Sequence, residues 1–483
     1  MPVRGDHAVV IGGSMAGLFA ARALHEHFDR VTVLDRDPLT AELPAKGAGG
    51  EHLTAFAAQR KGAPQAFHVH ALIYGSRLCL DDLYGGGFTD AMLAAGASYL
   101  DMARQHAILT PGGWIRRHPG ELMSAYATRY TTEGVVRGLT ASLPTVELRE
   151  GLVTGLLSSG NGSVVTGVAY QGDGGAGTLE ADLVVDASGR GSRAPAWIEQ
   201  LGYRPPEESL VHSHLGYATV YCRVPDGAWP GDIRSLTATP VPGTTRGVSF
   251  NPQEDGIYGL IAVGQNRDYP PDDRDGFTEF LRTAVCPLPY EIWRESEQLT
   301  EIRTTRTSAN RLRHWHEVSE LPAGFVALGD AAAAFNPTYG QGICTAAYNA
   351  RTLRDRLRGH DDQAGATTGI HAELITTSQL AWFIATQSDL AFEGTESRGV
   401  EPAPPETDQF FRRLRQVATR DPQVAHGFLK AIMTLDAAPL GDPDVITRVT
   451  THPEIPEPTL AELAEPPAWA YTDSNETREV VAS

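Results

Sequence analysis

The stretch VVIGGSMAGLFAARALHEHFDRVTVLD, Val9 to Asp35, constrains this chain more than any other. An apolar run, Val9 to Ile11, is followed by Gly12, Gly13 and Gly17, an Ala-rich helical pattern, and a second apolar run closed by Asp35. That order predicts a strand–helix–strand unit that cradles a nucleotide. Gly12 permits the tight strand-to-helix turn, a small residue at Ser14 lets backbone approach a pyrophosphate, and Gly17 lets helix and strand pack closely. Phosphate would then meet the unpaired N–H groups and the positive dipole end of the helix. Asp35 is placed to accept hydrogen bonds from ribose hydroxyls, as for a dinucleotide without a 2′-phosphate.

A chain of 483 residues, 41% apolar, has room for two or three domains around real cores. Its formal net charge of −19 argues against nucleic acid or an anionic membrane as partner. Cys79, Cys222, Cys286 and Cys344 form neither a CxxC pair nor a His-containing metal pattern, so reduced thiols and no metal site are expected. MPVRGDH runs straight into the first strand, and no apolar run approaches the ~18 residues that span a bilayer. A cytoplasmic location is the expectation.

Beyond Asp37 a Gly/Pro/Ala-rich loop leads to RKGAPQAFHVHAL, where Arg60, Lys61, Gln65, His68 and His70 crowd together. In an acidic protein this local positive cluster reads either as a solvated loop or as a face for an anionic group. WIRRHP suggests a strand edge with Arg116 and Arg117 exposed, and YATRYTTEGVVRGL a turn followed by a helix carrying Arg129 and Arg137. VELREG, VTGLLSSGNGSVVTGVAY and LEADLVVDASGRGS read as successive strands of a meander, the last of them apolar and ending at Asp186. GDGGAG, Gly172 to Gly177, is a turn between two of these strands. From about Gly202 the alternation becomes period two, with a hairpin turn at Asp255-Gly256, and a helical pattern covers Phe277 to Arg294. Residues His371 to Val449 look mainly helical, and the Pro- and Glu-rich tail from Pro453 loosely ordered.

One further segment separates the candidate dinucleotides. In GDAAAAFNPTYGQG an aspartate at a strand end, Asp330, can bond a polyol hydroxyl, and Pro337 shapes the loop. Gly340, Gln341 and Gly342 present N–H groups at the start of another helix, suited to negative charge on the N1–C2=O edge of a reduced flavin. A nicotinamide dinucleotide has no group that needs this second site.

Taken in order, GGSMAG, Asp35, RKGAPQ, DASGRGSR and GDAAAAFNPTYGQG resemble the single-component FAD-dependent monooxygenases of the para-hydroxybenzoate hydroxylase fold, nearest the actinobacterial polyketide-tailoring members. The likeness runs to about residue 450. It implies an α/β chain: a Rossmann-like FAD-binding domain (1–77, 105–203, 301–360) with an inserted, mostly antiparallel substrate domain (78–104, 204–300). A helical C-terminal region (361–452) and the tail (453–483) follow. It assigns Gly12, Ser14, Gly17 and Asp35 to the ADP half and Arg129 to the pyrophosphate or ribityl chain, and counts Gly13, Met15, Ala16, Arg36, Lys61 and Gln65 among the cofactor-binding residues. Asp186 braces the cofactor region. Gly329, Asp330, Pro337, Gly340, Gln341, Gly342 and Ile343 complete the flavin end. The family's two leucines after Arg129 are here Tyr130, Thr131 and Thr132, and its Met-Ser after GQG is Ile343-Cys344.

The implied activity is a monooxygenase: NADPH or NADH transiently reduces FAD, and a C4a-hydroperoxide hydroxylates or epoxidises a bulky, largely apolar, polyketide-like molecule. Because the cofactor does the difficult step, no acid/base side chain is required. His68, His70 and Tyr339 are pocket candidates only. Some relatives are redox-silent [4+2] cyclases in which FAD shapes the pocket and proximity does the work. The absence of a WxWxIP motif argues against a halogenase. A monomer or homodimer is expected.

Overall fold

The computed structural model describes residues 5–40, 42–47, 49–306 and 309–465. Its organising layer is a five-stranded parallel sheet. The elements are β1 (Gly5–Ile11), α1 (Met15–Leu24), β2 (Phe28–Asp35), α2 (Arg129–Ala141), β3 (Val146–Glu150), β4 (Leu183–Asp186), β5 (Phe325–Ala327) and α3 (Gly342–Gly359). The sheet order is β5-β4-β1-β2-β3. In register, Val9 lies between Thr32 and Val184. Covered on both faces, β1 and β4 read as unbroken apolar runs, which is why no period-two alternation marks them.

The nucleotide unit has the predicted form. Gly12 (φ 98°) backs onto the Ala187 carbonyl, and a Cβ on Gly17 would stand 1.7 Å from the Gly12 carbonyl oxygen. Helices α1 and α3 share one core with two helices from Tyr74–Leu83 and Phe88–Ala94, through Leu18, Phe19, Leu80, Phe88, Ala347 and Ala350. Residues 78–104, expected in the substrate layer, therefore pack largely against the nucleotide unit.

Only three strands form the predicted meander, Leu152–Ser158, Val165–Gly172 and Gly175–Glu180, with the GDGGAG turn closing the last pair. VELRE instead becomes β3, the parallel edge beside β2, and LVVD becomes β4. A single edge strand cannot announce its partner from its own sequence.

Residues beyond Gly202 contribute most of an eight-stranded sheet, antiparallel except where Ser235–Ala238 pairs with His106–Thr110. Strands Arg246–Pro252 and Ile257–Gly264 form the expected hairpin, with Asp255 and Gly256 at positive φ. The helical run behind it is two helices, Arg274–Arg282 and Leu288–Arg294, parted before Pro287. They fill a core of Phe277, Phe280, Trp293, Phe250 and Trp229. The C-terminal region is chiefly helical, with Gln379–Leu390, Pro405–Ala418 and Pro422–Thr434 as its long members.

Two surface expectations fail. Arg117 is buried, donating from Nε to the Arg104 carbonyl at 2.7 Å and pairing with Asp232, because the strand at this point is only Gly113–Trp114. Part of the tail is also ordered: Thr459 and Glu462 form a reciprocal capping box on helix Leu460–Ala464. Leu463 is buried there, and its carbonyl accepts from Trp114 Nε1 at 3.0 Å. Residues 466–483 of the tail lie outside the described residues. Among those described, no helix is long and apolar enough to cross a membrane.

The Gly12–Gly17 contact is testable. Gly17→Ala must push helix from strand, an overpacking expected to cost about 2–3 kcal/mol in denaturant unfolding. Unchanged unfolding would show that the two glycines do not pack this closely.

Candidate functional site

One cavity of about 1330 Å³ runs from the ends of β1 and β2, past the N-terminus of α3, to the face of the large sheet and the C-terminal helices. At its nucleotide end Ser14 occupies the N-cap of α1, but its hydroxyl makes no cap bond. It accepts instead from Arg129 Nη2 at 2.7 Å. The first-turn N–H groups of α1 are thereby left to an anion in the cavity. Gly12, Ser14, Met15, Ala16, Asp35 and Arg36 line this end, whereas Gly13 and Gly17 shape it from behind.

The charges here are arranged differently from the sequence expectation. Lys61 is exposed and lies off the cavity wall, while Arg36 reaches its carbonyl at 2.5 Å. Its neighbour Arg60 is the buried member of the RKGAPQ cluster. Arg60 pairs with Asp37 at 2.9 Å, Asp35 at 3.5 Å and Glu133 at 2.8 Å. The carboxylates that Arg60 meets are thus the protein's own. Glu133, fully buried on α2, also pairs with Arg129 at 2.9 Å and Arg137 at 2.8 Å. Burial alone would lift the Glu133 carboxyl, but the three guanidiniums outweigh it and hold the group below its ordinary value of 4.5. Asp35 braces the turn, accepting from Gly13 N at 2.5 Å and Asp37 N at 2.8 Å, with lone pairs remaining toward the cavity.

At the second end, Gly329 (φ 59°) turns the chain after β5 so that Asp330 opens onto the cavity. Its side chain is 36% exposed, but to that internal space, and burial in the protein raises its pKa. Arg190 Nε stands 3.9 Å away. Pro337, Gly340, Gln341, Gly342 and Ile343 line the wall where α3 begins. Oε1 of Gln341 and Oγ1 of Thr338 are buried without a hydrogen-bond partner among the described residues. Asp186 is fully buried behind the wall and braces it, accepting from Ser188 Oγ and Ser192 Oγ at 2.5 Å each. Gln65 also lies on the wall.

The three pocket candidates all line the cavity. Burial depresses His68 to about 4 and His70 to about 3, so both are neutral at physiological pH. His70 Nδ1–H donates to the His68 carbonyl at 2.8 Å, which leaves Nε2 as an acceptor. Tyr339 donates to buried Asp389 at 2.9 Å, and Asp389 also accepts from Asn310 at 2.7 Å and Asn336 at 3.2 Å. Burial lifts both the Asp389 carboxyl and the Tyr339 phenol, the latter well above 10.

Sequence reasoning missed Asp389 and the ladder on the large sheet, His106–Ser235–Asn251–Ser249, with links of 2.6, 2.7 and 2.8 Å. Apart from Ser249 and Asn251, which are two residues apart, the partners lie too far along the chain to be paired by spacing. Glu133 was findable, since Arg129, Glu133 and Arg137 stand at successive i, i+4 positions. Around the ladder the wall is apolar, with Met102, Ile108, Val248, Ile261, Phe335, Phe383 and Phe411.

A family model described as "FAD binding domain" matches residues 6–366. Protein Rv3254 of Mycobacterium tuberculosis is 30% identical over 454 residues, 89% of this chain and 90% of its own. PqsL, a probable FAD-dependent monooxygenase from Pseudomonas aeruginosa, superposes with a TM-score of 0.58 at 15% identity, covering 80% of this chain and 97% of its own. The Diels-Alderase PyrE3 of pyrroindomycin biosynthesis superposes with 0.57 at 16% identity, covering 89% and 81%. At such identities the solved structures share the fold.

Replacing Glu133 by Gln leaves three guanidiniums around a neutral amide, and a loss of roughly 3–5 kcal/mol in unfolding free energy is expected. The folded value lies below the unfolded one, so the ionised carboxylate's contribution is complete above the unfolded value and is lost as pH falls through the folded value. Unfolding measured across that acid range should therefore fall less steeply in E133Q than in the native chain.

Proposed function

The chain belongs to this family of FAD-binding proteins, and on that premise we propose that it is a monooxygenase. It would insert one atom of O₂ into a bulky, largely apolar, polyketide-like molecule by hydroxylation or epoxidation. The observation that carries the reading is the continuity of the cavity. At about 1330 Å³ it exceeds the ~300–1,000 Å³ usual for one small ligand, and it joins two nucleotide-type ends to an apolar chamber.

The residues fit FAD. Gly12 and Gly17 let strand, turn and helix close tightly, α1 begins without a side-chain cap, and Gln341 Oε1 and Thr338 Oγ1, without a partner among the described residues, lie at the second end. Ser14, Arg129 and the first turn of α1 would hold the pyrophosphate, Asp35 the adenosine ribose, Asp330 the ribityl chain, and the start of α3 the flavin ring. When bound, FAD supplies electron transfer from NADPH or NADH and activation of O₂.

The chain's own residues bind, orient and exclude water. The large sheet and the helices carrying Phe383 and Phe411 wall off the apolar chamber, which strengthens every polar contact within it. The neutral His68 and His70 place no charge against an apolar substrate. Tyr339, kept protonated, commits its proton to Asp389, so toward the cavity its oxygen can only accept a hydrogen bond. The polar ladder offers hydrogen bonds to an oxygen substituent of the substrate and would fix its orientation.

Anaerobic mixing with NADPH or NADH is expected to bleach the flavin, faster when a polyketide-type substrate is present. Admitting ¹⁸O₂ should place one labelled atom in the product. Product formed without reductant and without oxygen would overturn the monooxygenase reading in favour of [4+2] cyclisation. Asp330→Ala is expected to weaken FAD binding about tenfold, read by quenching of flavin fluorescence. Undiminished affinity would remove Asp330 from the site.

A further inference from the structure

Strand Asn310–Arg313 runs into a short turn, Trp315–Glu317, where the sequence HWHE brings two imidazoles and a carboxylate together. One ligand-capable atom from each of His314, His316 and Glu317 lies within 4.8 Å of the others. Glu317 Oε1 stands 3.3 Å from His314 Nδ1 and 3.5 Å from His316 Nε2. A tetrahedral cation with bonds of ~2.0–2.1 Å sets adjacent ligand atoms about 3.3–3.4 Å apart, close to the two separations from Glu317.

Hydrogen bonding fixes which nitrogen of His314 is available. Buried Ser209 donates its hydroxyl proton to the Gly399 carbonyl at 3.1 Å. Its oxygen therefore accepts from His314 Nε2–H at 2.8 Å, and a neutral His314 keeps its lone pair on Nδ1. That atom is buried and has no hydrogen-bond partner among the described residues, yet it faces a carboxylate oxygen. With Nδ1 unprotonated, two acceptors face each other at 3.3 Å, a contact that a cation lying between them would relieve. Ser209 also orients the ring as outer-shell partners of metal-binding histidines do. The turn is set by packing, since Trp315 is buried and stacks on His371 with ring centroids 5.7 Å apart.

A second trio of the same composition, His212, His214 and Glu396, provides the contrast. There Arg267 supplies the positive charge, 2.8 Å from His214 Nε2 and 3.7 Å from Glu396. No Lys or Arg pairs with Glu317 among the described residues. We propose that His314, His316 and Glu317 bind one divalent cation of the zinc type, with water completing the set. The cation would pin the end of the strand that carries Asn310, which holds Asp389, and Arg313, which donates to the Ala331 and Ser192 carbonyls. This site is independent of the redox reading.

The test uses tag-free, FAD-loaded protein, stripped by chelator and titrated calorimetrically with zinc chloride. One saturable site is expected in the native chain, weakened at least tenfold in H316A and in E317Q and about tenfold in S209A. The double variant H212A/E396Q should bind as the native chain does. The side chains of His316 and Glu317 are 25% and 61% exposed, so their substitution leaves the fold intact, with FAD retention as the check. No saturable zinc site, undiminished affinity in H316A, or loss confined to H212A/E396Q would overturn the assignment.

Discussion

Glu133 has no contact with solvent, yet the nucleotide end of the molecule is tied together through it. Through Arg60 it reaches Asp35 and Asp37 at the end of β2, and through Arg129 the hydroxyl of Ser14 at the head of α1. Through Arg137 it reaches the carbonyl of Leu39 in the loop beyond β2. Three arginines and three carboxylates compensate one another, and this is what allows so much charge to stay buried. The consequence for binding is specific. The cluster offers an anion no large local excess of positive charge, so recognition falls to oriented N–H groups and to the part of buried Arg129 that lines the cavity. These are donors that measure shape as well as charge.

A second buried carboxylate joins this end to the rest. Glu254, in the hairpin turn of the large sheet, accepts from Thr128 N at 2.7 Å and from the hydroxyls of Thr128 and Thr131 at 2.5 Å each. Thr128 is the N-cap of α2, the helix that carries Arg129 and Glu133. The sheet that walls the apolar chamber is thus bolted to the helix that organises the nucleotide end. Substitutions in the hairpin turn and in α2 act on the same cavity from opposite sides.

What was legible in the sequence is what depends on local backbone geometry. Gly12, Gly17, Asp35, Asp330 and the Gly340–Gly342 loop each lie at a strand end, a turn or a helix start that the surrounding few residues dictate. The failures share a different cause. Arg60 and Lys61 are adjacent, and only the end of the preceding helix, Glu51–Gln59, decides which of them turns inward. Arg117 needed Asp232, and Tyr339 needed Asp389 from a helix 50 residues later. VELRE joins the parallel sheet and not the meander because its partner β2 lies about 110 residues earlier, with several helices and strands between them. Pairings of this kind are set by three-dimensional closure, and periodicity carries no record of them.

The order of the parallel sheet bears on how the molecule is made. β1 lies at its centre, paired early on one side by β2. Its other neighbour, β4, is synthesised about 170 residues later, and β5 about 140 residues after that, which at ~5–20 residues per second leaves an apolar strand edge open for roughly 10–30 s before β4 emerges. The nascent chain therefore carries an exposed template for mispairing throughout most of its translation. Because Asp330 and the head of α3 follow β5, the ribosome delivers the first half of the nucleotide cradle long before the second. The two ends of the cavity are thus separated in the order of synthesis by about 300 residues, although they face one space in the folded chain.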